Sequence, residues 1–220
     1  MVINMDRKAK AALCIEALKQ EYPEAVCSLD YIDPLQLLIA TRLAAQCTDA
    51  RVNMVTPALF ERFPDLDAFC EGTEEEIAEL IKTCGLYKSK ARDIYQLVRV
   101  LKYERGGVIP DTVEELVKLP GVGRKTANIM MGDVFHKPAV VTDTHCIRIC
   151  GLLGLTDNTV PVKVERDLWA CLPPEEASDF CHRIVLHGRA CCVARRPRCQ
   201  ECCMKEFCDY NLNRAGTKEE

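Results

Sequence analysis

Apolar residues recur along this chain three and four positions apart, the period of a helix with one buried face. No stretch sustains the apolar–polar alternation of a half-buried strand, so the pattern predicts an all-α fold. Residues 6–21 carry the period through Ala12, Ile15 and Leu18. Asp33-Pro34 reads as an N-cap followed by proline at the first helical position, opening a helix over 35–46. A further helix covers 52–63, with Pro57 as a candidate kink. Thr73-x-x-Glu76 forms a capping box ahead of 76–84, and Gly85 reads as the stop. Ser89 caps 90–104, which ends at Gly106-Gly107, and Thr112-x-x-Glu115 is a second box, opening a short helix over 114–119. A break at LPGVG follows, and a helix resumes over 124–135. Residues 138–142 read as extended; 144–154, 162–172 and 174–189 complete the helices, and the tail from 211 reads as frayed. No low-complexity linker or fixed-period repeat marks a domain boundary.

Composition adds the setting. The 220 residues, 48% hydrophobic, suit one large domain or two small ones with a real core. No apolar run approaches the ~18 residues of a membrane span, and MVINMDRKAK lacks the apolar core of a signal peptide. The expectation is a cytoplasmic protein without a membrane partner. Fifteen cysteines, an odd number scattered along such a chain, point to reduced thiols acting as small hydrophobes. A net charge of −4 argues mildly against a nucleic-acid partner. The distribution argues the other way: Arg183 to Arg198 holds five arginines and His187, with His182 just before and no acid.

The sharpest local signal is KLPGVGRKTAN, residues 118–128. Pro120 ends one helix, Gly121 and Gly123 permit the positive φ of a tight turn, and a new helix starts at once. Backbone N–H groups at such a turn and helix start suit a phosphate, which positions a partner without reading bases. A plain helix–turn–helix corner is the bland alternative. Lys125 sits in the first turn, where the helix dipole disfavours an ammonium and so favours a nucleophilic amine. Against this stands a solvated lysine touching phosphate; local physics leaves the two level. Asp143, in VTDTH, reads from local physics as an N-cap for the helix that follows.

Residues 190–208, ACCVARRPRCQECCMKEFC, hold six cysteines. Cys199-x2-Cys202 is a metal-knuckle spacing, and the density favours a four-thiolate metal site over free thiols. Spacing alone does not select the metal.

LPGVGRKTAN, the Asp143 of VTDTH eighteen residues beyond Lys125, QLLIATRLAAQCTDARV, IKTCGLYKSKA and LHGRACCVARRPRC together resemble the endonuclease III family of helix–hairpin–helix DNA glycosylases. The resemblance runs from the first helix to Cys208. It implies a two-lobed helical fold, one lobe at 27–137 and the other at 1–26 plus 138–220, with a C-terminal cluster loop. It implies a monomeric base excision repair enzyme on damaged double-stranded DNA, associated with the nucleoid. Such an enzyme removes oxidised pyrimidines and cuts the abasic site 3′ by β-elimination through a lysine Schiff base. Lys125 and Asp143 would be catalytic. Gln46 would fill the gap left by the flipped base and Leu86 would wedge the opposite strand. The hairpin residues Leu119, Gly121, Val122 and Gly123 would contact DNA, as would His145 near the active site, while Asp49 would support the pocket. The pattern Cys192-x6-Cys199-x2-Cys202-x5-Cys208 implies a [4Fe–4S] cluster of structural role, with Cys191 and Cys203 as spectators. The loop it shapes carries Arg195, Arg196 and Arg198 toward DNA phosphates.

The sequence departs from close relatives at Ala44, where a hydroxyl residue is common, and at Cys47, where a small residue is common. Thr41 stands where the adenine-removing branch carries a catalytic Glu. Two rival readings remain: a monofunctional glycosylase using water, and a non-enzymatic iron–sulfur DNA-binding protein.

Overall fold

In a computed structural model, which describes residues 5–216 apart from Ala25, the chain forms helices and turns, with no strand among the described residues. The helices are α1 (Arg7–Glu21), α2 (Pro34–Leu43), α3 (Asp49–Arg62), α4 (Leu66–Glu71), α5 (Glu74–Leu80), α6 (Tyr87–Arg99), α7 (Val113–Leu116), α8 (Arg124–Ile129), α9 (Thr144–Leu153), α10 (Pro161–Trp169), α11 (Ala177–Ala190) and α12 (Asp209–Gly216). None is long and apolar enough to cross a membrane.

The chain divides into two compact units. One runs from Cys27 to Lys137; the other joins the N-terminal segment through Val26 to everything from Pro138 onward. The first packs α2–α8 around Leu37, Leu38, Ile39, Leu43, Phe63, Phe69, Ile94 and Leu97. The second packs α1 and α12 against α9 and α11, around Cys14, Leu18, Ile149, Leu168, Phe180 and Ile184.

Several caps follow the sequence. Asp33 accepts from the Gln36 N–H at 2.9 Å. The Thr73–Glu76 box forms in both directions. Pro57 lies inside α3 without ending it. Other expectations fail for identifiable reasons. Ser89 does not cap α6, because the helix starts at Tyr87 behind a left-handed Leu86, and Lys90 N–H already bonds to Leu86 O at 3.1 Å. Thr112 makes no side-chain cap; its partner Glu115 is drawn instead into ion pairs with Arg105 and Lys118. Helix α2 ends at Leu43, short of Gln46. Helix α4 went unseen because six residues carry too little period; Asp65 caps it through Ala68 N–H at 2.8 Å. Of the tail expected to fray from 211, residues through 216 are helical and 217–220 lie outside the described residues: Leu212 N–H bonds to Cys208 O, Asn211 Nδ2 bonds to Lys205 O at 2.9 Å, and Asp209 pairs with Lys10.

Candidate active site and cysteine loop

The hairpin forms as a turn closed by Val122 N–H to Leu119 O at 3.1 Å. Gly121 takes φ +72, a left-handed value. A Cβ there would lie 2.8 Å from both Arg42 Cδ and Asp93 Cβ, so the turn sits directly on that pair. Arg42 and Asp93 are joined through Nε at 2.7 Å and Nη2 at 2.5 Å. Gly123 corrects the sequence expectation. Its φ of −94 is ordinary; it is the N-cap of α8, and a Cβ there would meet nothing within 4 Å. The side chains of Leu119 and Val122 are buried in the core, which leaves only their main chain to meet a ligand.

Lys125 is the second residue of α8 and is exposed. Its ammonium is within electrostatic reach of Cys27, a thiol pushed up to about 11 chiefly by burial, with Asp133 and Asp49 adding to the rise. Asp49 Oδ2 accepts from Ser28 Oγ at 2.9 Å, which pins the acid at the start of α3. Thr41 is buried and its hydroxyl bonds to Leu38 O. Asp143 belongs to the other unit. It caps α9, its Oδ1 accepting from Cys146 N–H at 2.7 Å, and is half-buried. His145 packs against α11, where a Cβ on Gly188 would come 2.4 Å from Nδ1. That nitrogen is buried without a hydrogen-bond partner.

Left-handed backbone at a non-glycine residue is uncommon and collects at functional positions. The described residues with it are Gln46 (φ 53), Leu86 (φ 59), His136 and Arg195 (φ 69). Three of the four are candidate DNA-contacting residues. The left-handed residue at this turn is Leu86, not the neighbouring Gly85, and it is 57% exposed. Gln46 is exposed as well. A Cβ on Gly85 would lie 3.3 Å from Gln46 O, so the two loops touch.

In the cysteine loop, Cys192, Cys199, Cys202 and Cys208 line one recess with Leu152, Pro197 and Tyr210. Cys191 lines it too, and its thiol lies with His187 and Cys202 in a group whose ligand atoms are all within 4.8 Å. Donors surround the sulfurs: Arg148 Nη1 to Cys192 at 3.5 Å, Met204 N–H to Cys202 at 3.4 Å, and His187 Nε2 facing Cys202 at 3.5 Å. The hydrogen bond with Cys203 pulls the Cys202 thiol down to about 4 against the cost of burial, and His187 adds to the fall. Its neighbour Cys203 is pushed up by the same bond. Four thiols lining one recess, with N–H donors at Cys192 and Cys202, fit a thiolate-held metal group.

The basic stretch contracts in space. Arg183 is buried, donating to Tyr22 O at 3.0 Å and pairing with Asp179, and His187 is buried against Tyr22. Arg198 is tied to Ala190 O and Glu201. Arg195 and Arg196 are the exposed cations at the loop's tip. Sequence reasoning missed the Arg42–Asp93 seat, Arg148 and Lys90. Only Lys90 left a signal: it falls four and seven residues before Ile94 and Leu97, on the apolar face of α6.

The model of the HhH-GPD superfamily base excision DNA repair protein matches residues 39–174. The endonuclease III of Synechocystis sp. is 47% identical over 203 residues, 92% of this chain and 93% of the relative. That of Bacillus subtilis is 39% identical over 89% of this chain and 90% of the relative. A solved structure described as a trapped endonuclease III–DNA covalent intermediate superposes with a TM-score of 0.89 at 38% identity, covering 96% of this chain and all of that one. On a match spanning more than half its length and relatives this similar, the chain belongs to the HhH-GPD superfamily of base excision DNA repair proteins and, within it, to the endonuclease III family.

Proposed function

We propose that this DNA glycosylase and abasic-site lyase removes oxidised pyrimidines from damaged double-stranded DNA, with Lys125 as nucleophile and Asp143 as the accompanying carboxylate. The observation that carries the reading is the exposed lysine on the first turn of α8, delivered by the left-handed turn at Gly121. The lesion leaves the stack, which costs roughly a few kcal/mol and least for a damaged base. Lys125 Nζ, neutral once its proton has passed to a base, attacks C1′. The N–C1′ bond forms as the glycosidic bond breaks, and the base departs with the electron pair and gains a proton. Opening of the sugar gives a protonated Schiff base. Loss of the C2′ proton then expels the 3′ phosphate, and water releases the lysine. The Asp143 carboxylate is held by its cap bond, so it keeps one orientation while it moves the proton and faces developing positive charge.

Gln46 and Leu86 occupy the gap and wedge the opposite strand; their exposure and left-handed backbone support this role. The main chain of the hairpin and Arg195 and Arg196 hold phosphates, whereas Arg198 braces the loop. Cys192, Cys199, Cys202 and Cys208 would hold a [4Fe–4S] cluster. That group, when bound, supplies a four-point cross-link of the loop. The protein works as a monomer on cytoplasmic, nucleoid DNA.

Borohydride trapping on thymine-glycol and abasic-site duplexes tests the chemistry. The wild type is expected to cross-link and Lys125→Ala is not. Normal cross-linking by Lys125→Ala, or none by the wild type, would overturn the lysine mechanism.

A further inference from the structure

The loops carrying Gln46 and Leu86 share a seam, and a buried lysine spans it. Lys90 is 0% exposed, an environment that ammonium groups almost never enter unpaired. Its Nζ donates to Leu43 O, at the end of α2 and three residues before Gln46, at 2.7 Å. Its main-chain N–H donates to Leu86 O at 3.1 Å. One residue is therefore bonded to both turns, by side chain on one side and by backbone on the other. Around it stand the thiols of Cys47 and Cys84, and both act on the ammonium, as does Arg42. Burial lowers the Lys90 pKa, so keeping a charge here works against stability. Left-handed non-glycine residues persist only where their surroundings hold them. Gly85 packed against the Gln46 carbonyl and Lys90 bonded across the seam are the surroundings that do so here.

We infer that Lys90 is a positioning residue for base excision, its ammonium joining the end of α2 to the start of α6 so that Gln46 and Leu86 are already set for insertion before DNA arrives. Loops ordered in advance lose less entropy on binding. The inference rests on the reading of Gln46 and Leu86 as inserting residues. It adds a residue that touches no DNA, and it accounts for a charge kept at a fully buried position.

The test places 2-aminopurine opposite a stable abasic-site analogue in a duplex and reads the fluorescence change at saturating protein. Gln46→Ala and Leu86→Ala should abolish most of that change; if both keep it, the insertion reading fails and this inference falls with it. Given their loss, Lys90→Met should reduce the change at least fivefold and slow single-turnover excision from duplex about tenfold. It should cleave a single-stranded abasic oligonucleotide, which needs no gap filling, within twofold of the wild type. A merely structural lysine would impair both substrates alike or neither. Full fluorescence change in Lys90→Met, or equal losses on both substrates, overturns the inference. Should Lys90→Met fail to fold, Gly85→Ala decides, since its methyl would press on Gln46 O at 3.3 Å from the other side of the seam. It is expected to lose the fluorescence change with single-stranded cleavage intact, and an unchanged signal would refute the seam.

Discussion

Of two glycines two residues apart in the hairpin, one should be sensitive to alanine and the other nearly indifferent to it. Gly121→Ala forces a side chain onto a left-handed backbone, φ +72, at a cost of about 1–2 kcal/mol. It also drives a methyl to 2.8 Å from Asp93 Cβ, which is fixed on α6, and from Arg42 Cδ. Overpacking of that kind costs about 1–3 kcal/mol. The sum, about 2–5 kcal/mol, corresponds to a fall in Tm of roughly 5–15 °C for a chain of this size. Gly123→Ala meets no atom within 4 Å and needs no unusual φ. Its gain from a stiffer unfolded chain, about 0.4–1 kcal/mol, is offset by alanine's weakness as an N-cap, so Tm should move by less than about 3 °C. Thermal unfolding followed by circular dichroism measures both, and the Arg42→Ala background, which removes the Cδ and Nε contacts, should recover part of the Gly121→Ala loss. Equal shifts for the two glycines, or a Gly121→Ala shift below about 3 °C, would refute the claim that the turn is seated on the Arg42–Asp93 pair.

Asp143→Asn should keep the α9 cap and lose base excision, whereas Asp143→Ala should lose excision and about 1 kcal/mol of stability as well, measured by urea unfolding; an active Asn variant would reduce Asp143 to a cap. Cys199→Ser should abolish bound iron and the brown colour of the purified protein while Cys203→Ser retains both, by iron analysis and visible absorbance; loss of iron from the Cys203 variant would redraw the ligand set. Burial pushes the Cys14 thiol up to about 12 from an ordinary 9.0. Above pH 9 the unfolded chain loses that proton and the folded one keeps it, so this stability is complete below pH 9 and declines as pH rises toward 12. The urea midpoint under reductant should therefore fall from pH 8 to pH 10, less steeply in Cys14→Ala; an identical slope would sink the assignment.

The helices with sustained period and side-chain caps were legible in the sequence, as Asp33 and the Thr73–Glu76 box illustrate, because those signals are local. Where a partner lay elsewhere in the chain the local reading failed. Glu115 went to Arg105 and Lys118 rather than to Thr112, and the C-terminal helix is held by Lys10 from the far end of the sequence. The residue types of the candidate site were readable, since LPGVGRK and the cysteine spacings are short-range patterns. Their states were not. That Leu86 rather than Gly85 is left-handed, that Gly123 is ordinary, and that Arg183 is buried depend on packing that spacing does not encode. Leu119 and Val122 show the same limit, since a motif names residues but not which of their atoms face outward.

The division of the chain sets an order of assembly. The unit from Cys27 to Lys137 is continuous and can fold as soon as it leaves the ribosome, whereas the other unit is interrupted by it. Helix α1 is made first, yet its partners α11 and Asp209 are made last, so its buried face must wait through most of synthesis. The four candidate ligands lie in the final stretch of the chain, Cys208 just before α12. Any metal those cysteines hold would be captured in the same late step as the closing of α1 onto the C-terminal helices. A truncated product, lacking both, would present the hairpin and Lys125 on a folded unit while α1 still lacked its partners.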